Sequence, residues 1–232
     1  MAFIFRLTRL LVCLLLVVTA NAQARNSHHQ NADFGEWLHR ESSSFDYYLL
    51  ALSWSPEFCQ TPAGQQPAKK MQCTSKLGFV VHGLWPQYNS RDYPHDCGPE
   101  VDVPAEVSAI AENAVPPMPP GDRQLFNHEW QKHGTCSGLS MTEYFTAIKI
   151  SAEKVKIPEE LKSPPIALTL DAKAIATAFT RINPGLSEEM FNIETDRMGN
   201  INGVQICFDK QLNFRACSGG HTLQGGTFLP VH

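Results

Sequence analysis

The chain reads as a single α+β domain. Three observations predict it. β-prone runs and capped helical patterns are interspersed along the chain with no internal repeat. A hairpin pattern comes late in the sequence. An even set of cysteines follows an apolar N-terminus, as in an exported protein closed by disulfides.

Residues 1–24 have the form of a secretory signal peptide. Arg6 and Arg9 supply the positive start, and Leu10 to Val18 is almost unbroken apolar sequence, too short to span a bilayer. Ala20-Asn-Ala22 or Ala22-Gln-Ala24 would suit a signal peptidase. A secreted or periplasmic location is therefore expected, with no membrane contact after cleavage. The absence of an N-x-[ST] sequon favours a bacterial setting. Residues 25–44, polar and carrying His28 and His29, read as a loose tail, which leaves the domain at residues 45–232. Cys13 departs with the signal, leaving Cys59, Cys73, Cys97, Cys136, Cys207 and Cys217. Six cysteines allow fifteen pairings, and no pair has the short spacing of a zinc-binding C-x₂₋₄-C.

Tyr47 to Trp54 is β-prone and apolar on both faces, which suits a central strand. Gly78 to His82 reads as a second strand, broken by Gly83 and Pro86, so that His82 sits where a strand runs out into a loop. Pro99 to Val115 contains a short helix with Pro104 in its first turn. Val115-Pro-Pro-Met-Pro-Pro-Gly121 reads as a stiff surface connection. Asp122 offers an N-cap for a helix ending at Gly134. Ser140-Met-Thr-Glu143 has capping-box spacing and starts a helix running to about Val155. Asp171 to Ile182 is a further helix, stopped at Asn183-Pro184. Val204-Gln-Ile-Cys-Phe and Leu212-Asn-Phe-Arg-Ala-Cys read as two strands around a turn at Asp209-Lys210, which makes Cys207 and Cys217 a natural pair. The glycines between Ser218 and Gly226 lack the lysine and helix start of a phosphate loop and read as turns.

The formal net charge is −4 and becomes about −6 without Arg6 and Arg9, whereas a protein that grips long nucleic acid through many phosphates is normally basic. Any nucleic-acid contact should therefore be a compact site that holds a few nucleotides and releases them. Two stretches concentrate the chemistry: Phe79-Val-Val-His-Gly-Leu-Trp-Pro86 and His128-Glu-Trp-Gln-Lys-His-Gly-Thr-Cys136. Histidine gives and takes protons near neutral pH, and two such groups flanking a phosphodiester suffice for general acid–base cleavage without a metal. On a helical wheel, His128, Glu129, Lys132 and His133 share an arc of roughly 140°, with Phe126 and Trp130 beside it as a core anchor. A zinc site of the H-E-x-x-H type is disfavoured. The second histidine comes one residue late, about 140° round the helix, and Lys132 takes the place the ligand would need.

His82-Gly-Leu-Trp-Pro86 and His128-Glu-Trp-Gln-Lys-His-Gly134 resemble the two active-site segments of the ribonuclease T2 family, and Leu52-Ser-Trp-Ser-Pro-Glu-Phe-Cys59 is also similar to the family. The resemblance runs from about Tyr47 to Cys217. It implies a central antiparallel sheet flanked by several helices, and a metal- and cofactor-independent endoribonuclease of low base specificity. Such an enzyme, expected to be a monomer, cleaves single-stranded RNA, not DNA, by transphosphorylation through a 2′,3′-cyclic phosphate. A ribonuclease-fold toxin or recognition factor is the alternative use of the same residues. His82 and His133 would be the acid–base pair, with His133 favoured as the base. Lys132 and Glu129 would stabilise the pentacoordinate phosphorus, His128 would hold the phosphate, Trp85 would stack on the base and Tyr93 would close the base pocket. Leu125 stands where plant members carry an aromatic residue. His95 and His221 fall outside both motifs and read as structural or surface residues. The resemblance also implies the pairs Cys59–Cys73, Cys97–Cys136 and Cys207–Cys217.

Overall fold

The computed structural model describes residues 44–90, 92–218 and 222–232. The expected signal peptide and almost all of the expected tail lie outside the described residues, as does His221. Among the described residues there are six strands: β1 (Tyr47–Trp54), β2 (Phe79–Gln87), β3 (Leu168–Leu170), β4 (Phe191–Thr195), β5 (Ile201–Phe208) and β6 (Gly226–Phe228). The helices are α1 (Ser55–Phe58), α2 (Lys70–Thr74), α3 (Ala105–Glu112), α4 (Arg123–Lys132), α5 (Met141–Lys154) and α6 (Ala172–Ile182). Four strands form an antiparallel sheet in the order β2-β1-β5-β4, and β3 pairs with β6 in a separate ribbon.

β1 is central because both of its faces are apolar, as its sequence predicts; Ser53 is its one residue that is not buried. Tyr48, Leu50, Leu52 and Trp54 lie on the inner face. The Trp54 ring meets Phe79 at 4.9 Å and Phe228 at 5.3 Å, and Phe179 of α6 meets Phe191 of β4 at 6.0 Å. Tyr144 of α5 is fully buried and donates its hydroxyl to the Leu84 carbonyl at 2.9 Å. Burial of such aromatic side chains, at about 1.5–3 kcal/mol each, is the main apolar contribution to the fold. The outer face carries a smaller cluster of Tyr47, Leu49, Ala51 and Cys207, against which Trp85 and Cys217 pack.

The expected break at Gly83 does not occur. β2 continues to Gln87, and the disturbance is a β-bulge: Ala51 pairs with Gly83 and Leu52 with Val81, which leaves His82 as the extra residue. β2 is an edge strand, where a proline such as Pro86 is tolerated. The proline-rich segment is likewise more than a surface connection. Pro116, Met118 and Pro119 are buried, and the Pro117 carbonyl accepts from the Val81 N–H at 2.8 Å, so the segment covers the open edge of β2.

Helix starts follow their caps. Asp122 accepts from the Leu125 N–H at 3.0 Å, both halves of the Ser140–Glu143 capping box are formed, and Asp171 accepts from the Ala174 N–H at 2.7 Å. Pro104 sits at the N-cap of α3 instead of inside its first turn. α4 stops at Lys132, short of the expected end, and a 3₁₀ turn over Gly134–Cys136 follows. The second strand of the expected late hairpin does not form. Asp209 accepts from the Gln211 and Asn213 N–H groups at 2.9 and 2.8 Å, and only a single bridge, Phe208 to Phe214, is left of the pairing. Gly226 begins β6 and is not a turn residue. Disulfides join Cys59 to Cys73, Cys97 to Cys136 and Cys207 to Cys217.

Candidate active site

The bulge turns His82 toward the outer face of the sheet. Its Nδ1 lies 3.3 Å from the Ser53 hydroxyl and its Nε2 lies 3.4 Å from Glu129 Oε1. Glu129 reaches in from α4 and has no exposed surface, so the arc the four groups share on the wheel is split between interior and solvent, with Glu129 and His133 buried and His128 exposed. The other Glu129 oxygen accepts from the Trp85 indole N–H at 2.8 Å. One carboxyl group thus meets both residues of the first motif, hydrogen-bonded to Trp85 and in contact with His82, while its Oε1 has no hydrogen-bond partner among the described residues.

Gly83 makes this approach possible. A Cβ on residue 83 would lie 1.8 Å from Glu129 Oε2 and 2.6 Å from the Trp85 indole nitrogen. Trp85 neighbours both imidazoles, with centroids 5.4 Å from His82 and 5.2 Å from His133, the latter stacked at 24°. Tyr93 comes within 6.0 Å of His133 and carries Lys132 Nζ over its ring at 5.7 Å. His128 meets His133 edge-on at 6.3 Å. All seven residues singled out in the sequence therefore belong to one neighbourhood. At its edge, His95 is exposed, pairs with Asp96 at 2.8 Å and lies 5.7 Å from the Tyr93 ring.

The helix wheel misjudges one relationship. His133 is the C-cap of α4, with φ −117°, and donor atoms of His128, Glu129 and His133 lie within 4.8 Å of one another. Angular separation alone does not keep these groups from a common ion. The electrostatics do oppose a cation: Lys132 lowers the pKa of all three groups, so its positive field extends over the whole trio.

Burial sets the proton affinities. It pushes the Glu129 carboxyl up to about 8, against the opposing pull of the Trp85 hydrogen bond and Lys132. Burial, then Lys132 and His128, push His133 down to about 3. Burial, then His128 and Lys69, push His82 down to about 4. As 41 % of the His82 side chain remains open to solvent, screening moderates this last effect. His128 is lowered by burial and Lys132. These directions favour a protonated Glu129 beside a neutral His82 near neutral pH. His133 Nδ1 is buried with no hydrogen-bond partner among the described residues.

Three contributors are not flagged by the motifs. Ser53 orients His82, and its signal in the sequence is a lone hydroxyl inside an apolar strand. Lys69 and Asp122 form an ion pair of 2.6 Å, only 16 % and 4 % exposed. With Ser53, Gln72, His82 and Leu125 they line a cavity of about 130 Å³. The cap role of Asp122 is readable from its position; its partner in the Cys59–Cys73 loop is not.

An antiparallel sheet with a bulged edge strand, met by a helix end that carries two histidines, a buried acid and a lysine, defines an α+β protein with titratable groups of both signs gathered at one place. The sequence matches the ribonuclease T2 family over residues 45–217, and the chain belongs to that family. It is 45 % identical over 121 residues to a ribonuclease of Aeromonas hydrophila, covering 52 % of this chain and 51 % of that protein. It is 33 % identical over 183 residues to a probable ribonuclease of Haemophilus influenzae, covering 74 % of this chain and 61 % of that protein. The chain thus spans about half to three-fifths of the length of these relatives. The fold is similar to that of RNase NT, solved in complex with 5′-AMP, at a TM-score of 0.56 and 24 % identity, covering 81 % of this chain and 99 % of that one. It is also similar to an RNase-related protein from Calystegia sepium, at a TM-score of 0.58 and 24 % identity, covering 83 % and 98 % of the two chains.

Proposed function

We propose that this protein is an endoribonuclease that cleaves single-stranded RNA by transphosphorylation, without a metal. The observation that carries the reading is the pair of imidazoles, His82 and His133, both in contact with Trp85 and within one cationic field. His133, held neutral by burial and Lys132, takes the proton from a ribose 2′-OH. The 2′-oxygen attacks phosphorus, the bond to the 5′-oxygen breaks, and His82 protonates that leaving oxygen. The proton held by Glu129, 3.4 Å from His82 Nε2, passes to the ring as the ring gives its own to the leaving oxygen, so that His82 stays neutral, Glu129 ends as a carboxylate and His133 carries the proton taken from the 2′-OH. Lys132 offsets the charge that develops on the phosphoryl oxygens, and His128, at the exposed rim, holds the phosphate. The products are a 2′,3′-cyclic phosphate end and a free 5′-hydroxyl.

DNA lacks the attacking hydroxyl and is not a substrate. Trp85 and Tyr93 supply aromatic surface for a base, a contact of about 1–3 kcal/mol that tolerates any base, consistent with low specificity. Export to the periplasm or the medium is part of the same reading, supported by the three disulfides and the apolar N-terminal run, and the protein acts as a monomer. The test is digestion of RNA homopolymers in EDTA with end-group analysis. Cyclic phosphate ends are expected, with DNA intact. Loss of activity in EDTA would favour a metal on His128, Glu129 and His133 and overturn the mechanism, as would cleavage of DNA at a comparable rate.

A further inference from the structure

The catalytic face of the sheet extends past Trp85, and one fixed cation stands there. Leu49 pairs with Trp85 and Tyr47 with Gln87, so Tyr47 lies two residues further along the same face, a displacement of about 7 Å on a strand. The Arg215 guanidinium covers the Tyr47 ring at 4.7 Å. Three contacts lock it in place. One Nη donates to Asn89 Oδ1 at 3.1 Å and to Ser218 Oγ at 2.9 Å, and Nε donates to the Ala216 carbonyl at 3.0 Å. The Cys207–Cys217 disulfide fixes the segment that carries it.

None of these partners is a carboxylate. The nearby acid, Asp46, accepts from the Asn89 N–H at 2.7 Å, and the second Arg215 Nη has no hydrogen-bond partner among the described residues. A buried arginine normally finds an anion. Here a half-exposed one is held rigid, spread on an aromatic ring and left with open donors, in a chain whose net charge is −4.

We infer that Arg215, seated on Tyr47 and held by Asn89, binds a phosphate group of the RNA on the 5′ side of the nucleotide whose base contacts Trp85. The inference rests on the ribonuclease reading above. The scissile phosphate lies toward His82, so the next phosphate upstream lies on the opposite side of Trp85, where Arg215 stands. A planar guanidinium with its orientation already fixed loses little freedom on binding a phosphate.

The test uses two uncleavable 2′-deoxy dinucleotides, with and without a 5′-phosphate, in equilibrium binding. The phosphorylated ligand is expected to bind about tenfold more tightly, the worth of one charge-assisted hydrogen bond. Arg215→Gln, which keeps hydrogen-bonding capacity for Asn89 and Ser218 but not the charge, should reduce the ratio to about one. Arg215→Lys should fall between. Ratios of affinity cancel any uniform weakening from altered packing. A wild-type ratio of one, or a ratio unchanged in Arg215→Gln, overturns the site. The readout needs no turnover, so the two readings fail separately: cleavage of RNA without this preference refutes only the Arg215 site, and the preference without cleavage refutes only the ribonuclease.

Discussion

A Cβ at Gly83 and the carboxylate of Glu129 would occupy the same space: the two would lie 1.8 Å apart. A strand residue and a helix residue 46 positions later are therefore matched in size. Gly83→Ala should push Glu129 off both His82 and Trp85. Activity should fall at least tenfold, and stability by about 1–3 kcal/mol from overpacking. RNA turnover and thermal unfolding, measured together, check this; normal values in both would mean that the carboxyl is not required where it lies.

His82→Ala and His133→Ala should each lower turnover about 10²–10⁴-fold with the fold and the disulfides unchanged. His128→Ala should hurt less and act mainly on KM, since its ring lies at the exposed rim. Single-turnover rates with circular dichroism separate the two effects. Near-normal rates in all three variants would refute the assignment of roles.

Glu129 should leave a signature in pH dependence. Its folded pKa of about 8 lies above the ordinary 4.5, so protonation favours the folded state. Its contribution is complete below about pH 4.5 and is lost as the pH rises through about 8. The histidines act oppositely: with folded values of about 3 and 4, they withdraw stability as the pH falls below about 6.5. Glu129→Gln should therefore abolish the decline in Tm between about pH 6.5 and 8 and steepen the acid-side decline below about 6.5, where Glu129 offsets part of the histidine effect. It should also remove an alkaline limb of kcat/KM near pH 8. An unchanged Tm profile would show that the carboxyl titrates normally.

Reduction of Cys97–Cys136 should uncouple the two halves of the site. The strap after β2 is held to the end of α4 by the Asp96 N–H to Lys132 carbonyl bond at 3.0 Å and the Cys97 N–H to Thr135 hydroxyl bond at 3.0 Å. The disulfide closes a segment of 39 residues, a restriction of the unfolded chain worth about 3–4 kcal/mol in the entropy model. Graded reduction should lower activity before it lowers helix content. Simultaneous loss of both would assign the bond to global stability alone.

Local chemistry made much of this legible beforehand. Ser140, Asp171 and Asp122 announce their helices because a cap is a contact within one turn, and β1 announces itself because both faces are buried. The pairing of Cys97 with Cys136 came from family resemblance, since spacing alone leaves fifteen possibilities. What remained hidden depends on distant partners. Nothing near His82 reveals a bulge, because the mismatch exists only against β1. Glu129 reads as a surface charge on its own helix and becomes a buried acid only when β2 presents a glycine beneath it. The proline-rich segment looks solvent-borne until the open edge of β2 requires an acceptor. β3 and β6, three residues each, carry too little pattern to register.

The bulge also changes the parity of β2. Phe79 and Val81 pair with Trp54 and Leu52, and Leu84 pairs with Leu50, so Val81 and Leu84 share the core face at a spacing of three, where a regular strand permits only two or four. The strand runs in one phase before His82 and in the other after it. Replacing His82 alters chemistry and leaves the phase intact. Deleting it would merge the phases and turn either the residues before it or those after it to the wrong side of the sheet. Length at this position is a condition of folding, and identity at the same position is a condition of the proposed catalysis.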